Sequence, residues 1–147
     1  MKQQLFSGLV IIALTTSLSF AQKPEVFSTD AGAIGGYDPV AFFKESKPVV
    51  GKKEFSQSWN GAVWYFSTAE NLEAFKADPE KFAPQFGGWC AYGTADGHKS
   101  PTLPETWTIV DNKLYFNYNK EVQKLWNKNQ KGLIDQANRR WPEVRKQ

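Results

Sequence analysis

Asn60-Gly61 stands between two β-prone runs, Glu54 to Trp59 and Ala62 to Phe66. In that setting the dipeptide specifies a tight hairpin, because the favoured two-residue turn needs positive φ at both positions. A helix has to follow almost without a linker. Ser67 with Glu70 three residues on has the form of a capping box. It predicts a helix from about Thr68 to Ala77 with Leu72 and Phe75 as the buried stripe. Asp78-Pro79 ends that helix and starts another turn through Phe82. Alternation along the second strand sets Trp64 and Phe66 on one face and Val63 and Tyr65 on the other, so the first pair reads as core.

The flanking sequence extends this unit. Gln22 to Thr29 reads as a flexible or extended lead-in, and Gly35-Gly36 breaks the chain before Tyr37. Asp38 caps a short helix that has Pro39 at its first position. The stretch from Pro84 to Pro104, rich in Gly and Pro, reads as a long loop with one helical turn at most. Trp107 to Val110 and Leu114 to Asn117 form a second hairpin across Asp111-Asn112-Lys113. Asn119 caps a helix carrying Val122, Leu125 and Trp126, and a last helical piece runs from Leu133 to about Arg140, before Trp141-Pro142. The expected fold is α+β, a small single domain with antiparallel β-hairpins and several short helices.

The N-terminus carries an address. Lys2 precedes an uncharged stretch from Leu5 to Phe20 that closes in Ser19-Phe20-Ala21, the pattern of a cleavable secretory signal over residues 1–21. The apolar run Leu9 to Leu14 is diluted by Thr15, Thr16 and Ser17 and falls short of the roughly 20 apolar residues that span a bilayer. The expected mature protein is residues 22–147, exported to the periplasm or the extracellular space, with no stable membrane insertion after processing. The full chain's formal net charge is +3, one unit of it from Lys2 in the leader, and so small an excess makes no basic face of the kind that binds nucleic acid. A single cysteine, Cys90, allows no intrachain disulfide. Stability must therefore come from the core, which six Trp, five Tyr and the nine Phe that follow the leader can supply.

Beyond these signals, the run Trp64-Tyr65-Phe66-Ser67 through Pro79-Glu80-Lys81-Phe82 resembles the YHS domain family: two aromatics, Phe, a short helix ending in Phe, then a Pro-Glu-Lys-aromatic close. Tyr37-Asp38-Pro39-Val40 resembles the opening of such modules. Gly87-Gly88-Trp89-Cys90-Ala91-Tyr92-Gly93 and the segments around Trp107, Tyr115 and Trp141 resemble the larger exported single-domain branch. The resemblance implies an association with copper-transporting ATPases and metal handling through cysteines in the module. At the positions it implies for those cysteines, this chain has Ala41, Ser67 and Asn71. Copper(I) needs thiolate or thioether ligands, so a copper site of that form is absent.

Chemistry then rests on few side chains. Cys90 and His98, the only thiol and the only imidazole, lie eight positions apart in a Gly-rich segment. Three readings of Cys90 stand side by side: a small buried hydrophobe; a copper or zinc ligand with His98, completed by Asp96 or by substrate; or a nucleophile activated by His98. Asp96 to Pro101 reads as a polar surface turn. The tryptophans add a ligand groove, with Trp89 and Tyr92 as its candidate lining. No paired carboxylates and no phosphate-loop spacing are present, so no catalytic residue is assigned. The expected function is a non-catalytic exported binding or accessory module, metal-associated, with small-ligand or protein-partner binding through an aromatic groove as the alternative.

Overall fold

The Asn60-Gly61 turn forms as its sequence dictates, with φ of 48° and 74°, between strands β3 (Lys52–Trp59) and β4 (Ala62–Phe66), where Trp59 pairs with Ala62. This computed structural model describes residues 21–147; the expected leader, residues 1–21, lies outside them except for Ala21. Ahead of β3 come the two-residue strands β1 (Ser28–Thr29) and β2 (Gly32–Ala33), paired antiparallel, and helix α1 (Pro39–Lys44). After β4 follow α2 (Ala69–Ala77), α3 (Pro79–Phe82) and α4 (Ala91–Asp96). Strands β5 (Thr108–Val110) and β6 (Lys113–Tyr115) form the second hairpin, and α5 (Lys120–Asn127) and α6 (Gln130–Val144) close the chain. The described residues thus hold six α-helices and three two-stranded antiparallel sheets, the expected α+β domain. No helix among them is long and apolar enough to cross a membrane.

Burial divides the interior into two clusters. The first gathers Val26, Ile34, Val40, Phe42, Trp64, Phe66, Phe75 and Phe82 under the β3–β4 hairpin. The second gathers Phe86, Ala91, Ala95, Trp126 and Ala137 from the C-terminal half. Strand β6 joins them by its period of two: Leu114 and Phe116 enter the first cluster and Tyr115 the second.

Several sequence expectations need correction. The cap of α2 is Thr68, whose hydroxyl accepts from Asn71 N–H at 3.1 Å, not Ser67. Ser67 is drawn off by a stronger partner, the carboxyl group of Asp38. The second hairpin turns on Asp111-Asn112 alone (φ 50° and 60°), with Val110 paired to Lys113. The stretch from Pro84 to Pro104 is more than a loop: it contains a 3₁₀ turn, Gln85–Gly88, and α4. Helix α6 starts one turn earlier than expected because Asn129 caps it, and it runs through Pro142 to Val144. Proline costs a helix one N–H bond. Here only the final turn feels the loss, and Trp141 against Phe86 and buried Val144 hold that turn to the body.

The lead-in is anchored. Val26 and Phe27 are buried, and Phe27 N–H donates to Gly87 O at 2.8 Å. The strongest anchor is Lys99, which the sequence placed in a surface turn. It is 2% exposed, and its ammonium donates to the carbonyls of Lys23, Pro24, Arg145 and Gln147 at 2.9–3.3 Å. One side chain therefore ties both ends of the described chain together. Burial pulls its pKa below the ordinary lysine value; Glu25 opposes that shift, and Lys23 and Arg145 add to it. Lys99→Met keeps the apolar stem and leaves four carbonyls without their donor. We expect a loss of about 2–3 kcal/mol, with faster amide exchange at Phe27. An unchanged melting temperature would show that water replaces the ammonium at no cost.

Candidate functional site

Three places hold the chemistry-bearing residues. The first is a knot around Asp38, which is fully buried. Its Oδ1 accepts from the N–H groups of Val40 (2.8 Å) and Ala41 (3.3 Å), capping α1. Its Oδ2 accepts from Ser67 N–H, Ser67 Oγ–H and Asn71 Nδ2–H at 2.7–2.8 Å. Ala41, Ser67 and Asn71, the positions where the family resemblance implied thiols, thus all meet at one carboxyl group. What stands there is a hydrogen-bonded junction between α1, β4 and α2, with both carboxyl oxygens occupied.

The second place is a cavity of about 230 Å³ lined by Cys90, Tyr92, Asp96, His98, Ser100 and Tyr118 among others. It brings together the sequence candidates Cys90, His98 and Tyr92. Cys90 is 2% exposed; its Sγ accepts from Gly93 N–H at 3.3 Å as the cap of α4 and donates to Asn117 Oδ1 at 3.6 Å. Burial pushes its thiol pKa up, against backbone N–H groups of Gly93, Tyr118 and Tyr92 that pull it down. His98 is exposed and its Nδ1 lies 3.4 Å from Asp96 Oδ2. Among the described residues no three His, Cys, Asp or Glu side chains are grouped closely enough to hold a metal ion. Asn117, fully buried, spends its oxygen on Tyr92 N–H and Cys90, while its Nδ2 has no partner among the described residues.

The thiol's environment yields a pH expectation. With its pKa raised, the folded protein holds a proton that the unfolded chain releases near the ordinary thiol value of about 8.5. Stability is therefore fully present below that value and falls as pH rises toward the folded value. Native Cys90 should also react slowly with a disulfide reagent near pH 8 and rapidly in denaturant. Equal rates in the two states would contradict this burial.

The third place is a groove of about 330 Å³ between the clusters. Trp59 and Asn60 at the β3–β4 turn, Glu80, the segment Ala83 to Gly87, Trp141 of α6 and Glu25 of the lead-in all line it. Trp59 and Trp141 are half-buried. Glu25 is neutralised by Arg145 at 3.1 Å. The side chains of Asn60 and Glu80 are exposed to solvent and that of Gln85 is half-buried; none of the three bonds to another protein group among the described residues. Phe86, buried at φ 56° and ψ 34°, sits in the left-handed region that a bulky side chain avoids. Such strain gathers at functional sites.

The groove is not where the sequence put it. Trp89 is buried: its indole N–H donates to the carbonyls of Pro24 (3.2 Å) and Glu25 (3.0 Å), and its ring packs on Phe27. Tyr92 lines the thiol cavity instead. Trp59 and Trp141 were visible as tryptophans, but nothing local tells a lining residue from a core one. Comparison with known proteins matches residues 40–86 to the YHS domain. No curated protein and no solved structure matches the chain.

Proposed function

We propose that a chain carrying a YHS domain over residues 40–86 works as an exported, non-catalytic binding module that takes a small organic ligand in the Trp59–Trp141 groove. Export rests on the leader pattern at residues 1–21. The observation that carries the site is a contrast in satisfaction. The polar groups at the Asp38 knot are engaged with one another, whereas Asn60 and Glu80, both exposed, and half-buried Gln85 line the groove beside two half-buried indoles and leave their polar atoms to solvent or to a ligand. Ligand sites combine apolar walls with a few such polar groups. The non-catalytic reading rests on Cys90, whose thiol is capped, buried and held protonated.

The second reading is metal association, with copper(I) or zinc held by Cys90, His98 and Asp96. It is favoured by their common cavity and opposed on two grounds. Among the described residues no three such side chains are grouped closely enough to hold a metal ion. The thiol pKa is also raised, while both metals bind the thiolate. Protein purified without a histidine tag separates the two. We expect ring compounds to shift the indole resonances of Trp59 and Trp141, with no stoichiometric metal. Tightly bound zinc or copper that is lost in Cys90→Ser, with no ring compound shifting either indole, would replace the first reading by the second.

A further inference from the structure

We propose that the groove's ligand is a neutral polyhydroxylated ring, one or two sugar units in size, an inference that rests on the groove being the binding site. The lining sorts into two kinds of surface. Trp59 and Trp141 contribute half-buried indoles, and Asn60, Glu80 and Gln85 contribute planar polar groups that bond to no other protein group among the described residues. No lysine, arginine or histidine lines it, so an anionic ligand would meet Glu80 with no compensating cation.

Donor and acceptor balance decides between the remaining classes. Two amides offer both N–H donors and carbonyl acceptors, and Glu80 offers acceptors. A hydroxyl group both donates and accepts, so a ring carrying several of them can serve all three side chains. The apolar C–H faces of such a ring lie flat on indole. A quaternary ammonium would be drawn to the two tryptophans, but it has nothing to give the amide donors. With Glu25 already neutralised by Arg145 at 3.1 Å, the groove also lacks the cluster of negative charge that a cation would favour. The volume of about 330 Å³ lies at the small end of ligand sites, which limits the occupant to one or two rings. The lining is stiff. Phe86 and Gly87 hold φ of 56° and 62°, and Phe86 packs on Trp141 at 5.8 Å, so one indole is set before a ligand arrives.

The test titrates the protein spanning residues 22–147 with a panel of neutral mono- and disaccharides, with tetramethylammonium and with a sugar phosphate, reading indole N–H resonances and tryptophan fluorescence. We expect a saturable shift of Trp59 and Trp141 by at least one neutral saccharide. Trp141→Ala should weaken that binding at least tenfold. Gln85→Ala, which removes no side-chain hydrogen bond to the protein, should weaken it several-fold at a nearly unchanged melting temperature. If tetramethylammonium or the sugar phosphate shifts the indoles and no neutral saccharide does, the proposal is overturned while the groove stands as the binding site. If none of these probes moves either indole, the saccharide proposal falls; the groove reading itself falls only if the broader panel of ring compounds also leaves both indoles unmoved.

Discussion

Replacing Asp38 with alanine should cost about 4 kcal/mol or more, a large part of the stability of a domain this size. The carboxyl group accepts five hydrogen bonds at 2.7–3.3 Å, and its removal leaves several buried donors unpaired at about 1–3 kcal/mol each. Those donors sit on α1, on Ser67 directly after β4 and on α2, so the loss loosens three elements that contribute to the first core cluster. Asp38→Asn gives a graded comparison. An amide has one oxygen where the carboxyl has two, so in either orientation its NH₂ faces donors from Val40 and Ala41 or from Ser67 and Asn71. We expect Asp38→Asn to lose about half as much as alanine. Denaturant unfolding measures both; a loss below about 1 kcal/mol for alanine would mean that water enters the knot and satisfies it.

Gly87→Ala should be nearly as damaging. A Cβ on Gly87 would lie 1.9 Å from the carbonyl oxygen of Glu25, a backbone atom that no rotamer change can move. Gly87 also holds φ +62°, where a side chain adds strain of order 1 kcal/mol or more. Relief requires the lead-in to move away, which breaks the bond from Phe27 N–H to Gly87 O at 2.8 Å. Together we expect a loss of about 3 kcal/mol or more. Because Glu25, Val26 and Gly87 all line the groove, any folded fraction should also lose ligand binding. A melting temperature equal to the parent's would show that the lead-in can detach without consequence, contrary to the anchoring by Lys99.

The elements that were legible in the sequence are those whose signals are local. Asn60-Gly61 allowed one kind of turn, Asp38 before Pro39 and Asn119 before a helical run read as caps, and both cap as read. Errors arose where a residue had a choice of partners. Ser67 looked like a cap because Glu70 follows at the right spacing, but Asp38, 29 positions away, outbids the helix end for its hydroxyl. Lys99 looked solvated because its neighbours are polar, yet four carbonyls from both ends of the chain surround it. Pro142 looked like a stop, and tertiary packing of Trp141 and Val144 carried the helix past it.

The candidate site divides in the same way. The sequence by itself determined that thiols are absent at Ala41, Ser67 and Asn71, that one cysteine and one histidine are all this chain has, and that aromatic burial must hold it together. Composition and spacing decide such matters because they need no partner. Only the tertiary structure decided that Asp38 gathers those three positions, that Trp89 faces inward, and that Trp59 and Trp141, more than eighty positions apart in sequence, line one groove. The physical reason is that a groove is made by what two packed bodies fail to fill. Its lining comes from the β3–β4 turn and from α6, and the β5–β6 hairpin, feeding side chains into both clusters, joins the bodies that carry them.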